Sequence, residues 1–77
     1  MILSQAKEEN FYKLIQIEDK KEIKMKLIAM GLSPGSIVTV VKNDFSGPLI
    51  IGINSSRISL GRSLANKIEV SLYEKTN

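Results

Sequence analysis

The stretch IAMGLSPGSIVTV, residues 28–40, sets two glycines and a proline between an apolar run with helical spacing and an alternating run rich in β-branched residues. Backbone chemistry explains this corner without any catalytic role. Gly31 suits the left-handed position just past a helix, where a Cβ is unfavourable. Leu32 can then fold back onto Leu27, the apolar contact that commonly accompanies such a cap. Ser33-Pro34-Gly35-Ser36 fits a type II turn, with proline presetting φ at its second position and glycine taking positive φ at its third. The stretch therefore predicts a helix that stops at Gly31 and a chain that turns directly into a strand beginning at Ile37.

Upstream of the corner, Ile23, Leu27 and Met30 form one apolar stripe at helical spacing. Asp19 is the expected N-cap, with Glu22 three residues on as in a capping box. Before it, FYKLIQI (residues 11–17) is rich in β-formers and reads as a strand. Downstream, residues 37–42 form a second strand with apolar residues on both faces, and NDFSG is a loop. Residues 48–53 form a third strand, entered by Pro48 where a missing N–H is tolerated. NSSR then turns the chain into a short strand, ISL. Residues 61–66 make one helical turn, and Ile68, Val70 and Leu72 alternate with Glu69 and Ser71 as a last strand. The tail YEKTN is expected to fray. The expected fold is mainly β: a small, strongly bent barrel of about five strands with one helix between strands 1 and 2. Closing the sheet would hide its edges.

The 77 residues make a single domain, residues 1–77. With no cysteine, no disulfide can brace it, and with no tryptophan its core must be built from Ile, Leu and Val. The longest apolar run, residues 49–53, is far short of the ~20 residues of a membrane helix. MILSQAKEEN turns polar after three residues, so neither membrane insertion nor a signal peptide is expected. A cytoplasmic protein is the expectation. The absence of histidine and cysteine removes the imidazole base, the thiolate and the ordinary zinc or copper ligands. Ser33, Ser36, Ser55, Ser56, Ser59 and Ser63 all stand where turns and caps favour serine. SGPLIIG has the glycines of a phosphate loop without its Lys-Ser/Thr. Glu8-Glu9 and Glu18-Asp19 are carboxylate pairs that could hold a hard cation, but neighbours on a strand diverge and Asp19 has a capping role. No catalytic residue, cofactor site or metal site is assigned.

Net charge is +3, and the one basic cluster is Lys20, Lys21, Lys24 and Lys26, interleaved with Glu18, Asp19 and Glu22. Such mixed charge reads as a solvated helix face rather than a phosphate-binding stripe. Met25 and Ile28 lie on the side of the helix away from Ile23, Leu27 and Met30. A small barrel buries one helix face, so these two, with Lys24 beside them, are candidates for an exposed partner-binding surface. The alternative is that another segment, such as MILSQA at the N-terminus, covers them.

The corner and the segments around it resemble the ferrous iron transport protein A (FeoA) family. Its pattern Leu-x-x-x-Gly-Leu-x-Pro-Gly is matched at Leu27, Gly31, Leu32, Pro34 and Gly35, with Val38 and Val40 following. Pro48 with LIIGI is similar to the proline-led strand, and Leu60, Arg62, Ala65, Ile68 and Val70 fit the closing segment. Leu3-Ser4 and KLIQI fit the first turn and first strand. The chain departs from the pattern at Glu8-Glu9, where the family has Pro-Gly, at Gly47 for Asp, at Gly61 for the first Arg, and at Leu64 for Glu. The resemblance implies an SH3-like barrel acting as a non-catalytic cytoplasmic accessory to the membrane ferrous iron transporter FeoB, bound through that transporter's cytoplasmic domain. It implies no nucleotide hydrolysis and no resident cofactor. The same domain also closes iron-dependent repressors, whose helix-turn-helix has no counterpart here. The reading from another class is a small basic barrel that binds RNA or DNA through Phe11, Tyr12, Phe45 and Tyr73 with scattered lysines. Its basic residues are not gathered on one stripe, which makes nucleic acid the less favoured partner.

Overall fold

A computed structural model describes residues 1–74. Its strands are β1 (Phe11–Ile17), β2 (Ile37–Lys42), β3 (Leu49–Ile53), β4 (Ser56–Leu60) and β5 (Ile68–Leu72). Helix α1 (Lys21–Ala29) joins β1 to β2, and the single turn α2 (Arg62–Ala65) joins β4 to β5. A 3₁₀ turn, Leu3–Gln5, precedes β1. All strand pairs are antiparallel, in the order β4-β3-β2-β1-β5.

The sheet is not a closed barrel, contrary to the expectation from the sequence. No ladder joins β4 to β5 among the described residues. The two edges are treated differently. The outer edge of β5 is covered by the N-terminus: Val70 N–H donates to Met1 O at 2.8 Å, the Met1 ammonium donates to Val70 O at 3.1 Å, and Ile2 bridges Glu69. The 3₁₀ turn and α2 fill the gap on that side, placing Leu3, Ala6 and Ala65 in the core. A chain this short can shield its open side with these single turns where more strand would be needed to complete a ladder.

Leu14, Leu32, Leu49, Ile51 and Ile68, with Val38, Val40 and Val70, are fully buried. All but Leu32, which follows the helix cap, come from the inward faces of β1, β2, β3 and β5, as period-two alternation requires. Irregularities in β1 at Leu14/Gln16 and in β2 at Val40/Lys42 bend the sheet around this core. Tyr73, in the tail expected to fray, donates its N–H to Phe11 O at 2.9 Å. That expectation for residues 75–77 lies outside the described residues.

The corner forms as its sequence predicts. Leu32 N–H reaches Leu27 O at 2.8 Å and Gly31 N–H reaches Ile28 O at 2.9 Å, with Gly31 at φ +94°. These two bonds define a Schellman cap. Ser36 N–H closes the next turn onto Ser33 O at 2.9 Å, with Gly35 at φ +95°. Ser36 Oγ also donates to Gly31 O at 2.9 Å, so the serine ties the turn to the helix end.

Four local expectations are corrected. Met30 is 45% exposed at the C-cap rather than on the core stripe; Leu27 is buried and Ile23 only partly so. The Schellman turn makes Leu32 the second core contact, which leaves Met30 outside. The N-cap is Lys20, not Asp19, and no side chain caps the helix. Asp19 instead accepts the N–H of Lys20 at 2.7 Å and lies 3.6 Å from the Lys67 ammonium. The NSSR turn is tighter than expected. Asn54 and Ser55, at φ +48° and +67°, make a two-residue hairpin that fits the sheet twist, so β4 begins at Ser56. Finally, Glu8-Glu9 lies in a turn rather than on a strand. Glu9 holds φ +69°, in the left-handed region that favours glycine, and Glu8 accepts the Asn43 N–H at 2.7 Å.

Candidate functional site

Helix α1 buries one side chain, Leu27, and half-covers Ile23. Burying a leucine contributes about 2–3 kcal/mol, enough to seat the helix but not to hide its remaining faces. Met25 is 58% and Ile28 49% exposed. The N-terminal segment does not cover them: it runs along β5 and packs Leu3 and Ala6 into the core. The exposed alternative is therefore the one the fold adopts.

Lys24 and Ile28 also form one wall of a groove of about 220 Å³. Gln16 and Ile17 of β1 and Pro34 of the type II turn complete it. The fold thus brings two of the three candidate residues together and leaves Met25 just outside. Pro34, read from the sequence as a turn former only, is also part of the wall. Gln16 and Ile17 were not singled out; their place in the groove depends on the irregularity at Leu14/Gln16 and the packing of α1, which no local pattern signals.

Lys20, Lys21, Lys24 and Lys26 stand on and beside this helix with Glu18, Asp19 and Glu22 among them, and none of the four forms an ion pair among the described residues. The other motif residues are scaffold. Gly31, Leu32, Pro34 and Gly35 build the corner, Pro48 leads into β3, and Leu60 and Ala65 are buried. The face offers exposed apolar side chains, a shallow apolar groove and unpaired ammonium groups. That combination can bind an apolar, acidic surface.

Two of the four aromatic residues are engaged within the fold. Tyr12 is buried, with its hydroxyl accepting the Lys7 N–H at 2.9 Å, and Phe45 lies under the Arg62 guanidinium at 5.5 Å. Among the described residues no group of three or more acidic side chains is placed to hold a metal ion, and no helix is long and apolar enough to cross a membrane.

Comparison with known proteins adds the following. The family model of the FeoA domain matches residues 1–72. A Methanocaldococcus jannaschii protein with the provisional name Fe(2+) transport protein A is 44% identical over 45 residues, which are 58% of this chain and 54% of that one. The match thus spans about half the length of this curated relative. A crystal structure described as an iron uptake regulatory protein (FeoA) superposes with a TM-score of 0.87 at 27% identity, covering 95% of this chain and 97% of that one. A manganese-dependent transcriptional repressor superposes at TM-score 0.77 and 20% identity over 94% of this chain and 40% of its own, a likeness of fold alone.

Proposed function

Because the chain belongs to the FeoA domain family, we propose that it is a non-catalytic cytoplasmic accessory of ferrous iron transport that binds and regulates the membrane transporter through that transporter's cytoplasmic domain. The observation that carries this reading is the exposed face of α1, where Met25 and Ile28 stand in solvent beside Lys24 and the groove against β1. An apolar pair kept in water on a small domain is a cost in solubility that a docking partner removes. The lack of histidine and cysteine supports a binding role over an enzymatic one.

Titration of the whole chain against the purified cytoplasmic domain of the transporter, with and without guanine nucleotide, tests the reading. Saturable binding in the micromolar range is the expected result. No binding at high micromolar concentration in either nucleotide state would remove it.

A further inference from the structure

We propose that the outer face of the sheet between β2 and β4 binds an extended, acidic and apolar segment of a partner protein, with its carboxylate on Arg57. This surface is separate from α1 and does not depend on the role given to that helix.

The first observation is Gly52, inside β3. A glycine within a strand weakens it, and it commonly marks a bulge, a close backbone approach or the approach of a ligand. The fold accounts for neither of the first two. Gly52 stands in regular register with Thr39 on one side and Arg57 on the other, and the shift in β2 comes after Val40. A Cβ built there would meet Val41 Cγ2 at 3.6 Å, Thr39 Cβ at 3.9 Å and, as the nearest backbone atom, Ser56 O at 3.9 Å, all ordinary contacts. Nor does its φ require glycine, since the glycines at positive φ are Gly31 and Gly35. What the missing side chain leaves is open floor between Val41, Thr39 and Arg57.

The second observation is the shape around that floor. The face carries two hollows, of about 650 and 440 Å³, which share Val41 and Arg57. Ile50 lines the first, and Phe11 and Ile37 line the second. Apolar walls thus lie on both sides of one guanidinium. A ligand that uses the whole surface carries apolar groups on either side of its polar one, as an extended segment does when every second side chain faces the same way.

The third observation is charge. Arg57 and Lys42 both line the first hollow, and neither forms an ion pair among the described residues. Its one acidic residue, Glu8, already accepts the Asn43 N–H. Lys42 adds, after the two Ser46 hydrogen bonds, to the lowering of the Asp44 pKa, but Asp44 lines neither hollow. Two cations beside apolar walls favour a carboxylate with apolar neighbours, and the planar fork of arginine suits a carboxylate in particular. A nucleic-acid backbone calls for a longer run of cations than this face holds.

The test titrates the isotope-labelled full chain with the end-blocked peptide Leu-Thr-Asp-Thr-Leu, whose leucines and aspartate share one face when extended. Saturable shifts of the Gly52 and Arg57 amide resonances at millimolar peptide, with those of α1 unmoved, are the expected result. Replacing the peptide's aspartate with asparagine, or Arg57→Gln in the chain, should each weaken binding about threefold or more. Gly52→Val fills the floor and should weaken binding by a similar factor while the melting temperature holds or rises, because a β-branched residue suits a strand. Should the valine variant fail to fold, the exposed Arg57→Gln change and the asparagine peptide carry the test alone. Met25→Ser/Ile28→Ser should leave peptide binding unchanged, which separates this face from α1. Absence of saturation at millimolar peptide overturns the proposal, as does equal binding of the two peptides or indifference to Arg57→Gln. Tighter binding of oligothymidylate than of the peptide, falling steeply with salt, also overturns it and assigns the face to nucleic acid.

Discussion

Arg62 Nη2 donates to Asn43 Oδ1 at 2.7 Å, and this contact joins α2 to the loop after β2. The same guanidinium donates from Nη1 to Ser4 O at 3.1 Å and from Nε and Nη2 to Gly47 O at 3.2 and 2.9 Å. Asn43 is buried, and its Nδ2 donates to Ser4 O at 3.0 Å and Ala6 O at 2.8 Å. Two side chains thus hold together the N-terminal turn, the β2–β3 loop and α2, on the side where no strand ladder closes the sheet.

Asn43→Ala should destabilise the fold by about 1–3 kcal/mol, because it leaves the Ala6 carbonyl without its donor and removes one of the two acceptors of Arg62 Nη2. Arg62→Lys should not be a conservative change, since an ammonium cannot reproduce the planar fork that serves three acceptors. Urea melts of both variants against wild type check this, with a clear fall in the midpoint expected for each.

The two positive-φ glycines of the corner should differ in cost. An alanine Cβ at Gly35 would meet nothing within 4 Å, so Gly35→Ala carries backbone strain alone, about 1 kcal/mol. At Gly31 the same atom would also lie 3.1 Å from Asn54 Nδ2 and 3.6 Å from Ile53 Cδ1. Gly31→Ala should therefore lower the melting temperature further than Gly35→Ala, which itself should cost roughly 4–8 °C in a domain of this size.

Asp44 should titrate below its ordinary value of 3.8, first because its carboxylate accepts the Ser46 N–H and second because it accepts the Ser46 hydroxyl. A folded-state pKa below the unfolded one gives stability that is fully present above about 3.8 and is lost as pH falls through the lower folded value. NMR titration of the Asp44 carboxyl should give the depressed value in wild type, and Ser46→Ala should relieve only part of the depression, because it removes the hydroxyl and keeps the N–H.

The parts of the fold legible in the sequence are those decided within a few residues. The Schellman cap at Gly31, the type II turn at Gly35 and the alternation of β5 each depend on local φ preference or period two. The exposure of Met30 is not legible, because helical spacing alone cannot show that Leu32, folding back after the cap, takes the inner position instead. The capping box misses because the helix starts one residue later than its pattern requires, so that the Asp19 carboxylate takes the Lys20 N–H and faces Lys67, a contact distant in sequence. The Arg62–Asn43 network joins residues up to 58 apart in sequence, and a lone arginine and asparagine carry no periodic signal of it. Of the candidate site, the exposure of Met25 and Ile28 was legible on the helical wheel. The groove behind Lys24 was not, because it needs the packing of α1 against β1.

The most direct test of the account compares the Met25→Ser/Ile28→Ser double variant with wild type in one thermal scan and one binding titration against the transporter's cytoplasmic domain. Side chains 58% and 49% exposed contribute little to the core, so melting should shift by no more than about 0.5 kcal/mol per site, while binding should weaken at least tenfold. Unchanged binding, or a melting loss of the size expected for truncating buried side chains, about 2 kcal/mol or more each, would contradict α1 as the docking face.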